Sequence, residues 1–449
     1  MVASVLAAMQ LLVPRKYLFL PILVATTHVP LVAIHDSSVT VLRLVLLALL
    51  IRAFTAPKPE STRPSALDGW LILWALVLLA TVFGHDARDG SPVVTRLGVI
   101  YEVGGAYLAF RMLLRTSEDI IQLVRCLAVC MLPLALLMLV ERLGGGNAYE
   151  TLGATFEMVR DGKIRAAGSF GNAILAGTVG GVMLPLTMML TRHRWQLALG
   201  ALGCFGVVFS STSTGPYMTA AFSLALLGLW RWRAHLSKFW WALIACLLVL
   251  HLVMKDPVWY LMARIDITGG SVAFHRAELI TQALAHLDEW WLNGTDYTRH
   301  WMPYGVPWSN NHADITNYFL KMGVLGGLPL LFAFLGVVVS AFATLGADLR
   351  YFRESNASAA EWQVWCLLVG FSALCFSFIG VAPYDQSTLY YFMLLAMVPL
   401  MRSAWAGSIS EQQPESSGPE SSQAGVPVLS REGRAGKPTP IEAVPRSRH

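Results

Sequence analysis

Apolar residues in this chain come in long unbroken runs separated by short polar breaks. The runs cover about 16–34, 38–54, 69–84, 94–112, 119–140, 173–190, 195–211, 216–231, 238–254, 314–344, 361–381 and 386–402. A helix of about 20 residues, rising 1.5 Å per residue, crosses a hydrocarbon layer of about 30 Å. Most runs are near that length. The run at 314–344 exceeds it, which predicts tilt or extension past the bilayer. Continuous apolarity favours helices over barrel strands, whose side chains alternate between lipid and lumen. The pattern therefore predicts an all-α polytopic membrane protein with about 12 transmembrane helices.

Composition agrees with the pattern. Of 449 residues, 55% are hydrophobic and 14% charged, against about 25% charged in soluble domains. So few charges cannot cover a water-exposed surface of this size. A cytosolic enzyme, a disordered scaffold and a disulfide-stapled secreted module are excluded. The six cysteines all lie inside apolar runs without metal-type spacing and read as small buried residues. The stretch Val2–Leu12 lacks the basic start of a cleavable signal and runs into Pro14-Arg15-Lys16.

The net charge of +5 is too small to argue for nucleic acid, but its placement carries orientation. With the N-terminus in the cytoplasm, Arg15, Lys16, Arg52, Lys58, Arg63, Arg111, Arg115, Arg192, Arg194, Arg231, Arg233, Lys238, Arg350, Arg353 and Arg402 fall on the inside. The short outer breaks near 35–38, 84–93, 212–215 and 382–385 hold only Arg88. Both termini are thus expected in the cytoplasm, with two longer periplasmic loops at about 141–172 and 255–313. Residues 1–406 form the membrane-embedded unit. Residues 407–449, rich in Ser, Pro, Gly and Glu, bury too little apolar surface to order and read as a disordered cytoplasmic tail.

The second loop contains Trp259, Trp290, Trp291, Trp301 and Trp308 beside His275, His286, His300 and His312. Within it, residues 271–292 have near-helical apolar spacing and predict an amphipathic helix at the membrane surface. The tryptophans read as interfacial anchors or as platforms for sugar rings. No His-Glu-x-x-His or similar ligand spacing occurs there, so no metal site is expected.

Charges inside spans are costly. Arg43, Arg96 and Arg125 lie near helix ends, where snorkelling explains them. Glu102 lies deeper and is either half of an internal ion pair or a proton-relay carboxylate. The stretch Arg165-Ala-Ala-Gly168-Ser169-Phe170-Gly171-Asn172 precedes the run at 173–190. Its glycines and the helix start suit an anion, with Arg165 as a fork-like clamp. An ordinary turn and cap reads equally well. Arg276, on the amphipathic helix, would meet a lipid diphosphate or simply anionic headgroups. His312 precedes the long run at 314–344, and an imidazole is the side-chain type suited to accepting a proton from a sugar hydroxyl. Asp314 or Asn311 would cap the following helix.

In order and placement these pieces resemble the bacterial O-antigen ligase and O-antigen polymerase superfamily. The matching stretches are Arg165…Gly168-Ser169-Phe170-Gly171-Asn172, then Ser211-Thr212-Ser213-Thr214-Gly215, then His312…Gly323-x-x-Gly326. Ala313 stands where the family usually has Asn, Thr214 where it has Arg, and Lys321 where it often has an acid, which marks a divergent branch. The resemblance implies a metal-independent glycosyltransferase without cofactor at the periplasmic face of the inner membrane, acting in lipopolysaccharide or exopolysaccharide synthesis. The donor would be a polyprenyl-diphosphate-linked glycan, and the acceptor a second glycan or lipid A-core. His312 and Arg276 would be catalytic. Arg165, Asn172, Asp314 and Asn317 would bind substrate. The rival expectation is a non-enzymatic transporter or flippase of lipid-linked glycan. It would favour related halves and a charged midplane cavity, and no half-to-half symmetry is visible.

Overall fold

The computed structural model describes residues 2–31, 40–57, 64–85, 91–154, 158–160, 162–264, 272–306, 309–384 and 386–405. The predicted tail and Trp308 lie outside the described residues. In chain order the helices begin with α1 (Val2–Leu12), α2 (Leu20–His28), α3 (Val41–Thr55), α4 (Ala66–Ala80), α5 (Pro92–Leu113) and α6 (Ser117–Val140). A hairpin of β1 (Met158–Arg160) and β2 (Lys163–Arg165) follows. Next come α7 (Ala173–Thr187), α8 (Arg194–Ser210), α9 (Thr214–Gly228), α10 (Leu236–Val253), α11 (Leu261–Arg264), α12 (Val272–Ala285) and α13 (Leu287–Trp290). A second hairpin, β3 (Gly305–Val306) and β4 (Ser309–Ala313), leads into α14 (Tyr318–Glu354), α15 (Ser358–Ser377) and α16 (Ser387–Met397).

Each predicted apolar run contains a helix. Among the described residues, six helical stretches are long and apolar enough to cross a membrane: Ala66–Gly84, Pro92–Leu113, Ser117–Gly145, Ala173–Leu190, Tyr318–Glu354 and Ser358–Ser377. Thr214–His235 with Lys238–Val253 makes a seventh if counted as one span, bent by 112°. The helices α2, α3, α8 and α16 are shorter, at 9, 15, 17 and 11 residues. Large apolar side chains face outward along the bundle, such as Ile72 at 62% and Leu76 at 60% exposure on α4. So many exposed large apolar side chains, on helices long enough to span, belong in lipid rather than water. The chain is an all-α, membrane-embedded protein.

The centre of the bundle is α7, which is buried along almost its whole length. It packs against α8, α9 and α15 through small residues. A Cβ on Gly180 would lie 2.8 Å from the Cys204 carbonyl oxygen, and one on Gly370 of α15 would lie 2.7 Å from Leu186 Cδ1. Such close backbone approach is how helices gain contact where lipid provides no hydrophobic drive. Helix α1 packs beside α3. Arg52 donates to the carbonyls of Gln10 (2.9 Å) and Val13 (2.5 Å) at its C-terminal end, satisfying acceptors that a helix end leaves open.

Basic residues at one end of the bundle are matched by acids. Arg15 pairs with Asp119 at 2.8 Å and Arg402 with Asp348 at 3.0 Å. The buried Glu361 accepts from Arg233 at 2.7 Å and from Arg353 at 2.9 Å. The hairpins, α12 and the N-terminal ends of α7, α9, α14 and α16 belong to the opposite end, as the alternating helix directions require.

Several sequence expectations change here. Arg96 does not snorkel: it is buried, and donates to Thr81 Oγ1 (3.3 Å) and the Leu325 carbonyl (3.4 Å). Arg125 reaches the exposed Glu118 at 2.6 Å and His193 at 2.7 Å, an arrangement compatible with its snorkelling reading. The amphipathic helix predicted over 271–292 breaks at His286 into α12 and α13. The cap of α14 is Asn317 rather than Asp314 or Asn311: its Oδ1 accepts from Leu320 N at 3.1 Å. Trp290 and Trp301 are not surface anchors. They are 3% exposed and form a small core with Leu279, Ala283, Met302, Ala313 and Val324.

Candidate functional site

Arg165 ends β2 and is buried. Its Nε donates to Ser213 Oγ at 3.1 Å, Nη2 bonds to the same oxygen, and Ser213 Oγ donates on to the Ser211 carbonyl at 2.9 Å. Thr212, at φ +47°, donates through Oγ1 to the Ile164 carbonyl at 3.1 Å. The first two sequence motifs, 46 residues apart between Arg165 and Ser211, are thus one structural unit.

The 166–172 stretch is held from below by Glu141, which is 1% exposed. Its two carboxylate oxygens accept from Ala167 N at 3.0 Å and Gly168 N at 2.9 Å. Amides bonded to a carboxylate are committed to it, so an anion cradle is not built from these two N–H groups. Gly168 adopts φ +61°, the left-handed region that favours glycine. Asn172 caps α7, with Oδ1 accepting from Ile174 N at 2.8 Å. That bond is the turn-and-cap arrangement rather than a ligand contact.

The sequence reading missed the segment 377–387 between α15 and α16, on which the motifs converge. The Phe378 carbonyl accepts from Tyr318 N, the first residue of α14, at 2.8 Å. A Cβ on Gly380 would lie 3.3 Å from Arg276 Nε, so the Arg276 side chain rests on that glycine. A Cβ on Gly215 would meet Val381 Cγ2 at 3.7 Å. Gln386, buried, donates to the Ser169 carbonyl at 2.8 Å. One segment therefore touches the 168–172 stretch, the 211–215 turn, α12 and the start of α14. The sequence signal was the Gly380…Pro383 break between two apolar runs. Beside it lies an apolar crevice between α7, α15 and α16, lined among others by Leu175, Thr178, Val182, Phe378, Val381 and Tyr391.

Arg276 lies on α12, in a module with its own small core. Trp259 Nε1 donates to Thr281 Oγ1 at 3.0 Å, and Tyr260 OH donates to Glu278 Oε2 at 2.6 Å. Hydrogen bonds from Gln282 and Tyr260 hold the Glu278 carboxyl below the usual range, against a smaller opposing effect of burial. For Glu289, burial raises the pKa. Hydrogen bonds from Trp301 and His300, with charge on His300, outweigh it and lower the pKa.

The module docks on a break in α14. Gly326 and Gly327, the latter at φ +70°, depart from helical geometry. The Val324 carbonyl accepts from Thr295 N at 2.9 Å, and Leu328 N donates to the Trp291 carbonyl at 2.7 Å. Gly323 faces Trp290, whose Cζ3 would be 2.5 Å from a Cβ there. The spaced glycines after His312 are the seat for this module. His85 joins from the other side, bonding to the Asn293 carbonyl at 2.9 Å and to Asp296.

His312 lies on β4, half-buried. The neighbouring turn holds β4: Thr298 N donates to the Asn311 carbonyl at 2.9 Å, and Thr298 Oγ1 accepts from Ala313 N at 3.0 Å. Asp314 is exposed, and its carbonyl accepts from Thr316 N at 3.1 Å. Asn317 is buried as the α14 cap. Arg165 and Arg276 thus each connect to the 377–387 segment, Arg165 through Ser213 and the turn that continues to Gly215, and Arg276 directly. His312 is carried by the module's edge, six residues before the α14 start that bonds to Phe378. Glu102, the deep carboxylate, pairs with Arg43 Nε at 2.7 Å.

A scan against protein-family models matches none of them, and a search of curated proteins returns no match.

Proposed function

We propose that this chain joins glycans at the outer face of a bacterial inner membrane, as an O-antigen ligase or polysaccharide polymerase. The observation that supports the reading is the convergence of the 168–172 stretch, the 211–215 turn that holds Arg165, and Arg276 on the single segment 377–387. An acidic, lipid-linked donor needs positive charge at the membrane edge, and Arg276 brings it to this end of the bundle. The proposed topology has about twelve spans, both termini cytoplasmic, and the two longer loops in the periplasm.

In this reading Arg276 binds the donor diphosphate, and Arg165, locked to Ser213, supplies a fixed positive field. His312 accepts the proton of an acceptor hydroxyl as its oxygen attacks the anomeric carbon, with Asp314 beside it. The bond to the diphosphate breaks and the diphosphate leaves on its carrier lipid. The leaving group is already good, so catalysis consists of positioning and charge stabilisation. A transporter reading draws on Glu102 as a proton carrier, but that carboxylate is engaged by Arg43.

Purified protein supplied with a lipid-linked repeat unit, with and without a lipid A-core acceptor, tests the proposal. A ladder from donor alone identifies a polymerase, and product only with core identifies a ligase. No product in either case overturns both. Arg276→Ala and His312→Ala should abolish product at unchanged protein level in the membrane.

A further inference from the structure

His286, Glu289 and His300 lie in three different local elements: the break after α12, the helix α13 and the turn 299–301. Their ligand atoms all fall within 4.8 Å of one another. We infer that these three residues form a binding site for a zinc-class divalent ion on the outer module. Two imidazoles and a carboxylate are the donor set of an open zinc site, three protein ligands with a position left for solvent. A tetrahedral ion with bonds of about 2.0–2.1 Å needs its ligand atoms about 3.3 Å apart. His300 Nε2 and Glu289 Oε1 are already at 2.8 Å. The remaining separations, at most 4.8 Å, must close by up to about 1.5 Å on binding.

Each ligand is also oriented from behind. His286 Nδ1 bonds to the Gln282 carbonyl at 2.8 Å. A carbonyl only accepts, so Nδ1 carries the proton and Nε2 of the neutral ring presents its lone pair. Glu289 Oε2 accepts from Trp301 Nε1 at 3.0 Å, leaving Oε1 for the site. Tyr297 stacks on His300 with centroids 5.0 Å apart, and Trp301 stacks on His286 at 5.8 Å. Such outer contacts, which fix tautomer and ring plane, are what metal sites share beyond their ligands. The side chains of His300 and Glu289 are 36% and 31% exposed, so an ion has access. Binding displaces the proton that His300 Nε2 donates to Glu289. No short-range motif announces the set: the spacing is His-x-x-Glu, with the second His eleven residues further on.

The ion would tie the C-terminal end of α12 to the turn that holds β4. On the proposed glycan-transfer reading, it would fix Arg276 relative to His312 and act as a positioning ion. Binding itself does not depend on that reading.

The test uses tag-free full-length protein in detergent, stripped with chelator and titrated with cobalt(II). One equivalent should bind, with visible absorption of a low-symmetry site, and zinc(II) should displace it. His286→Ala and His300→Ala should each weaken binding more than about 100-fold, beyond the ~10–100-fold typical of losing an outer contact. Trp301→Phe, which keeps the ring and removes the Nε1 donor, should weaken it within that smaller range. Thermal unfolding of each metal-free variant checks that the chain is folded. No stoichiometric cobalt site in folded wild-type protein, or equal binding by folded His286→Ala and His300→Ala, overturns the site. Metal binding without glycan transfer would overturn the functional reading alone. Transfer without metal binding would overturn this one alone.

Discussion

Gln386 Nε2 donates to the carbonyl oxygen of Ser169 at 2.8 Å across 217 residues of sequence. Both residues are buried. The bond joins the start of α16 to the loop before α7, and so holds the 377–387 segment against the stretch that follows Arg165. Gln386→Leu would leave the Ser169 carbonyl without this donor in a buried place, which costs about 1–3 kcal/mol. The expected result is a lowered unfolding temperature in detergent. Glycan transfer assayed below that temperature should fall further than the stability loss explains. Equal losses would limit Gln386 to a structural role.

Gly323 is predicted to be intolerant of size because Trp290 occupies the space a side chain needs. Gly323→Leu should destabilise docking of the outer module by about 1–3 kcal/mol, the usual cost of overpacking. Trp290→Ala in the same chain should recover part of it, since the two changes share one volume. Limited proteolysis of the 291–306 region reads the docking directly: faster cleavage in the single variant, and partial protection in the double.

The Arg43–Glu102 pair separates the enzyme from the transporter. Arg43→Met and Glu102→Gln should each destabilise the chain, because the remaining partner loses its counter-charge. The double variant should be more stable than the sum of the singles predicts, with a coupling of about 1–3 kcal/mol. It should also keep glycan transfer. Loss of a proton-driven flux in a folded double variant would instead favour transport.

Tyr260 and Glu278 make a pH-sensitive contact. Hydrogen bonds from Gln282 and Tyr260 hold Glu278 below its ordinary pKa of 4.5. The contact is therefore fully present above pH 4.5 and is lost as pH falls through the lower folded value. Amide exchange of residues 258–261, corrected for intrinsic pH effects, should rise as pH drops from about 6 to about 3. Glu278→Gln should remove that dependence.

The apolar runs determined the helices. In lipid each backbone group must find its partner inside its own segment, so an unbroken apolar stretch has few alternatives to a helix. Asn172 reads in sequence either as a substrate contact or as a helix cap, and the fold shows its cap bond to an amide two residues on. The rest depends on contacts without a sequence period. Trp290 and Trp301 read as surface anchors because aromatic rings are common at membrane interfaces. Only the tertiary structure turns them inward, against Gly323 and Glu289. Arg165 reads in sequence as an anion clamp, and only the fold sets Ser213 against its guanidinium. His286, Glu289 and His300 are ordinary polar residues in the sequence and become neighbours only when α12, α13 and the 299–301 turn fold together. A helix is written by residues three and four apart, but this site is assembled by segments up to 217 residues apart, and that pairing is decided by how the whole bundle packs.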